Sequence, residues 1–232
     1  MSSKTYPNLS LEQSLFDAGT EIVIGIDEVG RGSLFGPVAV GIAVLSRDRH
    51  SGTNDWPARL ADSKLISQSI RESLFEPVSD WVEAHSVGMA SAAEIDRDGI
   101  VASLALAARR AIETLPSEVR ARVAGNPDAA FAILDGSHNW LGSALGPVRS
   151  MVQTKADRDC VSVAAASVLA KVERDNLMIS IAAADPRVEP YGIAGNKGYS
   201  SATHLDALRR LGPLELHRKT WLGKILGDSS LF

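Results

Sequence analysis

Two carboxylates stand at the end of an apolar segment, and a glycine-rich turn follows at once. The stretch reads Ile22-Val23-Ile24-Gly25-Ile26-Asp27-Glu28-Val29-Gly30-Arg31-Gly32-Ser33-Leu34-Phe35-Gly36-Pro37. An apolar run that ends in two charges is costly unless those charges meet water, a partner or a metal ion. The glycines let backbone N–H groups come close to a ligand, and Arg31 adds a fixed positive fork. Metal-binding acids beside an anion-friendly turn suggest chemistry on phosphates.

Two more acids extend the set. Asp135 closes the apolar run Ala129-Ala130-Phe131-Ala132-Ile133-Leu134, and Asp157 stands at the mouth of a long helical pattern. In α/β proteins ligands gather beyond the carboxyl ends of strands, where Asp27 and Asp135 fall. Hard divalent cations such as Mg²⁺ take a few oxygen ligands and keep several waters. Four such acids could hold two ions roughly 3.5–4 Å apart, one to activate water and one to stabilise the leaving oxygen. Each acid also has a plainer reading. Asp157 alone fits a helix N-cap, and Asp135 before Gly136 fits a turn. Adjacent strand residues point to opposite faces, so Glu28 joins Asp27 only if the strand ends near Val29-Gly30. Asp159, Glu173 and Asp175 read as helix caps or ion-pair partners.

Other chemistries are excluded or unsupported. Gly30-x-Gly32-x-x-x-Gly36 is not a dinucleotide fingerprint, because Pro37 and a β-branched run follow where a helix is required. There is no phosphate-cradling Gly-x-x-x-x-Gly-Lys-Ser/Thr loop. The histidines are scattered without metal-ligand spacing, and His138, three residues after Asp135, reads as a loop residue. Lone Cys160 excludes an internal disulfide. Lys64, Lys171 and Lys197 read as solvated by default. Tyr199, on a polar loop, either packs locally or stacks on a sugar or base.

The elements that must position these residues follow from pattern. Strands are expected over 21–28 and 37–45, the second buried on both faces, and over 84–90, 129–135 and 148–154. Ser67 is an N-cap for a helix to about 83, and Asp98 for an alanine-rich helix to about 115. Loops are expected over 46–57, 116–128 and 191–201. One helix should run from about 158 to 184, closed by Asp185-Pro186, with shorter helices near 203–211 and 216–226. This order indicates an α/β protein, a central mixed sheet flanked by helices. With 232 residues, a single catalytic domain is the simpler reading, its core at about 20–212 and a C-terminal helical tail over 213–232.

Hydrophobic residues at 45% and charged residues at 22% are ordinary for a globular protein. The net charge of −4 argues against nonspecific coating of nucleic acid, but not against a local basic groove. The N-terminus lacks a secretory pattern, and the uncharged stretch 160–170 is too short to span a bilayer. A cytoplasmic location is expected, with no membrane partner.

The combination resembles the ribonuclease HII (type 2 ribonuclease H) family. The resemblance rests on Gly25 to Pro37, Asp62-Ser63-Lys64-Leu65, Leu134-Asp135-Gly136, Lys155-Ala156-Asp157, Ser162 to Asp175, and Gly198-Tyr199. These stretches appear in the family's order over about residues 21–212. The resemblance implies a ribonuclease H-like fold and a Mg²⁺- or Mn²⁺-dependent endoribonuclease. Its substrates would be RNA–DNA hybrids and single ribonucleotides embedded in duplex DNA, cut to leave 3′-OH and 5′-phosphate ends.

By motif, Asp27, Glu28, Asp135 and Asp157 would be the metal-binding carboxylates. Gly30, Arg31, Gly32 and Ser33 would meet the ribose 2′-OH and flanking phosphates, and Tyr199 would stack on the next sugar. Lys64 and Lys171 would contact phosphates or stabilise the site. Leu216-His217-Arg218-Lys219-Thr220-Trp221 resembles a basic tail element that grips the DNA strand. Lys155-Ala156-Asp157 carries Ala where many members have Gly, which is tolerated if φ there is negative. The chain is expected to be monomeric. A replication-machinery partner is left open, and the tail Ser229-Ser230-Leu231-Phe232 is expected to be disordered.

Overall fold

The computed structural model describes residues 6–227, so the expectation for Ser229 to Phe232 lies outside the described residues. In chain order the elements are α1 (Ser10–Asp17), β1 (Ile22–Val29), β2 (Val38–Ser46), α2 (Arg47–His50), α3 (Gln68–Trp81), β3 (Ala84–Ala90), α4 (Ala92–Thr114) and α5 (Ser117–Gly125). There follow β4 (Ala130–Asp135), β5 (Arg149–Gln153), α6 (Ala156–Asp159), α7 (Val161–Ala184), α8 (Ile193–Asn196), α9 (Ala202–Leu211) and α10 (Gly223–Leu226), with short 3₁₀ turns between some of them. The strands form one mixed sheet in the order β3-β2-β1-β4-β5. β1–β2 and β2–β3 are antiparallel; β1–β4 and β4–β5 are parallel.

Period-two alternation sends the side chains of β1 into two cores. Ile22, Ile24 and Ile26 pack with Leu104, Ala107 and Ala111 of α4 on one face. Val23 packs with Val163, Ala164 and Leu169 of α7 on the other, together with Leu74 and Val78 of α3. Both faces are therefore covered, and β2 is buried along its whole length. Among the described residues no helix is long and apolar enough to cross a membrane.

Glycines set how closely the helices approach. A β-carbon on Gly25 would overlap the backbone of Ser162, and one on Gly41 would overlap the Ala166 carbonyl. One on Gly88 would overlap the Ala107 carbonyl of α4. The alanine-rich faces of α7 and α4 thus rest on bare strand backbone. The start of α7 is held from a distance. Buried Glu12 of α1 accepts the Ser162 N–H at 2.9 Å and its hydroxyl at 2.7 Å, a carboxylate at a helix N-terminus.

Several boundaries differ from expectation. The long helix is broken at Cys160, which is extended at φ −111°, ψ 127°. Residues 117–125, expected as loop, are helical, and so are 47–50 and 193–196. The expected C-terminal helix is only a 3₁₀ turn at 219–221 and four residues of α10. Asp98 is not the cap of the alanine-rich helix. Ser91, in a capping box with Glu94, caps the segment that precedes a kink at Gly99. Asp98 instead pairs with Arg97 beside Gly99, whose φ of 79° breaks the helix. The Ser91-x-x-Glu94 pattern of that box is legible in the sequence.

The C-terminal segment is tied to α9 by two buried histidines. His217 Nδ1 accepts the Leu214 N–H at 2.8 Å, so its proton sits on Nε2, 3.0 Å from His204 Nε2. His204 Nδ1 then donates to the Tyr199 carbonyl at 2.9 Å. This chain satisfies both neutral rings and leaves no place for another proton. Burial, helped by neighbouring His204, pushes the His217 pKa down to about 4, and burial lowers that of His204.

Two expected outcomes follow from this packing. Gly41→Ala should cost about 1–3 kcal/mol by overpacking α7, read as a shift in urea midpoint at unchanged slope. For the histidines, the unfolded chain takes up a proton below about pH 6.5 while the folded state refuses it. Stability is therefore full above that pH and should fall on the order of 3 kcal/mol between there and pH 4 for His217 alone. His217→Gln should flatten that acid limb in melting curves recorded across the range; an unchanged limb would refute the assignment.

Candidate active site

Asp27 lies near the end of β1, two residues beyond Gly25 and so on the face covered by α7. It is 1% exposed. The pairing of β1 with β4 stops at Ile26 and Leu134, and the next residue in each strand is Asp27 and Asp135. The parallel register thus sets these two carboxylates side by side. Asp135 Oδ1 accepts the Ala156 N–H at 2.7 Å, which binds the end of β4 to the turn carrying Asp157.

Neither plain reading of these acids holds. Asp157 caps no helix, since α6 begins from Lys155 in the left-handed region (φ 63°) without a side-chain cap. Asp135 reaches across to another segment rather than closing its own turn. Ala156 lies outside the left-handed region, so alanine fits where glycine is common.

The strand ends at Val29, where the sequence placed its end, with Glu28 still paired to Val40 and Val29 to Ala39. Pairing with β4 has already stopped, however, and that edge of β1 is open. Glu28 sits there, bonded to Arg31 Nη1 at 3.2 Å.

The electrostatics match a group of acids short of counter-charge. Burial, above all, raises the Asp27 pKa well above the usual carboxylate range, and Glu28 and Asp135 add to it against the Ser167 hydroxyl and Lys64. Burial also raises Glu28 despite Arg31. Asp157 is pushed up to about 7, by burial first and then by Asp135 and Asp62. Lys64 Nζ stands 4.0 Å from Asp157. Burial works against its charge, yet Asp27, Asp157, Asp62 and Asp135 outweigh that and raise its pKa.

Asp27 Oδ2 and Glu28 Oε2 are buried without a hydrogen-bond partner. Orphaned carboxylate oxygens in an all-oxygen donor set fit a hard divalent cation. Among the described residues no three acidic, histidine or cysteine side chains close into a ready-made cage. Like charges with no cation between them stay apart.

Beside these acids is a cleft of about 420 Å³ lined by Glu28, Val29, Gly30, Arg31, Gly32, Ser63, Lys64, Lys171 and Tyr199. It gathers most of the expected substrate-binding residues in one place. Asp27, Asp135 and Asp157 are not part of its lining; Lys64 links the two groups. Lys171 Nζ bonds Asp175 Oδ1 at 2.5 Å and lies 5.7 Å from the centre of the Tyr199 ring, with Arg174 Cζ at 5.6 Å. Burial lowers the Lys171 pKa. A more apolar cavity, between Leu115, Val123 and Leu145, contains none of these residues.

Two expected residues lie elsewhere. Ser33 is buried and its hydroxyl donates to the Phe35 carbonyl at 2.8 Å, away from the cleft. The expected basic tail does not present its arginine outward: His217 and Arg218 are fully buried. Their polar atoms are consumed by internal hydrogen bonds, which leaves Lys219 as the exposed cation of that run. Sequence reasoning passed over Ser63, although it sits inside the Asp62-Ser63-Lys64 stretch. It also passed over Arg174, three residues after Lys171 and so on the same helical face.

The chain is similar to known proteins in sequence and fold. The chain matches the family Ribonuclease HII over residues 24–224. It is 43% identical over 218 residues to the ribonuclease HII of Streptomyces avermitilis, covering 93% of this chain and 83% of that one. Its fold is similar to that of the ribonuclease H2 from Pyrococcus horikoshii OT3, with a TM-score of 0.64 at 24% identity, covering 89% of this chain and 97% of that one. It is also similar to Bst-RNase HIII in complex with Mn²⁺, with a TM-score of 0.60 at 22% identity, covering 86% and 65%. The sheet with its flanking helices is the ribonuclease H-like fold, and the chain belongs to the ribonuclease HII family of metal-dependent ribonucleases that act on RNA–DNA hybrids.

Proposed function

We propose that this enzyme also nicks duplex DNA on the 5′ side of a single embedded ribonucleotide, with Asp27, Glu28, Asp135 and Asp157 holding two divalent ions. The observation that carries this reading is the pair of buried, unpartnered oxygens on Asp27 and Glu28, next to a glycine loop on a cationic cleft. Bound Mg²⁺ or Mn²⁺ would supply Lewis-acid activation of water and neutralise the leaving 3′ oxygen.

The chain's own residues do the rest. Asp135 holds the 156–159 turn in place through Ala156, so that Asp157 faces the same centre. Lys64 balances the acids while two ions are not yet in place. The N–H groups of the Gly30-Arg31-Gly32 turn read the 2′-OH, the group that distinguishes RNA from DNA, and the adjoining phosphates. Arg31, half exposed, adds a donor fork to a phosphate. Tyr199, with Lys171 and Arg174 beside its ring, offers a face for the sugar that follows the ribonucleotide. No side-chain nucleophile is needed, and the products carry 3′-OH and 5′-phosphate ends.

The proposed roles require no residue from a second copy, and the proposed enzyme is a single catalytic domain acting as a monomer. The lone thiol, Cys160, is buried and raised above its usual pKa by burial, which accords with a cytoplasmic enzyme that needs no disulfide.

Asp27→Asn should reduce nicking of a duplex with one ribonucleotide to background. In chelator it should raise Tm by about 2–4 °C, because a buried charge among like charges is removed. A folded, active Asp27→Asn enzyme would end the metal assignment. Wild type that cuts long hybrids but leaves the single-ribonucleotide duplex intact would instead favour a type 3-like specificity. Tyr199→Ala should lower kcat/KM on the single-ribonucleotide duplex more than on a continuous hybrid, by about tenfold for one lost stacking contact. Equal losses on both substrates would remove Tyr199 from junction selection.

A further inference from the structure

The C-terminal segment enters the site from behind. Arg218 is 0% exposed, and among the described residues it forms no ion pair. Its guanidinium is instead spent on backbone carbonyls of the glycine loop: Nη2 donates to Gly30 O at 2.8 Å, Nη1 to Arg31 O at 2.8 Å and Nε to Gly36 O at 3.2 Å. The backbone joins in. Arg218 N–H donates to Leu34 O at 2.9 Å and Gly36 N–H to Leu216 O at 2.8 Å. Trp221 closes over the guanidinium, its ring centre 4.9 Å from Cζ.

A second buried arginine continues the same pattern. Arg174 of α7 donates to Pro37 O at 2.9 Å, Lys197 O at 3.0 Å and Phe35 O at 3.4 Å, and among the described residues it too has no carboxylate partner. Gly30 is required at this contact. Its φ is 80°, and a β-carbon there would overlap the Arg174 side chain.

In a trans peptide the carbonyl and the N–H of the next residue point in opposite directions. Carbonyls of Gly30 and Arg31 drawn inward onto Arg218 therefore turn the N–H groups of Arg31 and Gly32 outward. Among the described residues neither of these N–H groups meets a protein acceptor. A cation on each carbonyl also polarises the peptide and strengthens its N–H as a donor. Burying a guanidinium without a carboxylate is costly, and here the expense falls on the loop that lines the cleft.

We propose that Arg218 is a positioning residue: its buried fork aims the Arg31 and Gly32 amides at the substrate and thereby sets discrimination of ribonucleotide from deoxyribonucleotide. The C-terminal segment is then part of the specificity apparatus rather than a surface clamp on DNA. The assignment to discrimination rests on the function proposed above; the aiming of the amides does not.

Two variants and two readouts test it. Arg218→Lys keeps the charge and loses the fork, and Arg218→Gln loses both. With chelator present, fluorescence anisotropy compares binding to a duplex with one ribonucleotide and to the same duplex in DNA alone. Hydrogen exchange at the Ser33 and Gly36 amides, which are bonded to the Gly30 and Leu216 carbonyls, measured without substrate, reports the order of the loop directly. In both folded variants the preference for the ribonucleotide should fall about tenfold, or to none if it starts smaller, and the two amides should exchange about tenfold faster, the equivalent of one lost buried hydrogen bond. Affinity for the all-DNA duplex should fall less, because only the phosphate contacts of the Arg31 and Gly32 amides are shared by both duplexes.

A folded Arg218→Lys with wild-type preference and wild-type exchange overturns the proposal. So does loss of the folded state in both variants, which would make Arg218 a structural residue only. If wild type itself shows no preference, the proposed function fails, and unchanged or faster amide exchange still decides the aiming role.

Discussion

The site depends on how closely α7 can lie against the sheet. Only strand positions without side chains let it rest there, and Gly25 of β1 and Gly41 of β2 are those positions. That contact sets the depth at which α7 carries Ser167, Lys171 and Arg174. It also places Asp27, two residues beyond Gly25, beneath the helix and out of water. An alanine in either place would lift the helix and shift each of these side chains at once. The remote carboxylate of Glu12 serves the same end, since it holds the first turn of α7 where Cys160 offers no cap.

Around that frame the protein separates charges that it could have paired. Acids with too little counter-charge (only Arg31 and Lys64) collect where β1 and β4 part. Arginines without carboxylates collect beneath the glycine loop. In the free protein both arrangements are unfavourable, because buried charge without its opposite loses hydration and gains little in return. A ligand that brings cations to one side and phosphates to the other would satisfy both. The raised carboxylate pKa values and the raised pKa of Lys64 are the electrostatic trace of that unfilled demand.

Much of this was legible in the residues. The alternation of β1, the doubly buried β2, and strands that end in Asp27 and Asp135 follow from local pattern, and the mixed sheet follows from their order. Where local reading failed, a longer-range contact had won. Asp157 lies within α6 rather than at its cap, because the turn that carries it enters through Lys155 in the left-handed region and is held by Asp135. Residues 117–125 form a helix although nothing in their weak amphipathic pattern marks one. Asp98 gives its carboxylate to Arg97 rather than to a cap, and the kink at Gly99 divides the helix into a segment capped by Ser91 and the alanine-rich segment after it.

By itself the sequence determined which residue types end the strands, where glycine must replace a side chain, and to which family the chain belongs. Tertiary structure alone decided that Asp27 and Asp135 are neighbours, since their pairing comes from the register of two strands a hundred residues apart. It also decided that Arg218 faces inward. A basic run looks the same in sequence whether its charge meets solvent or a buried carbonyl, and only the fold brings those carbonyls within reach.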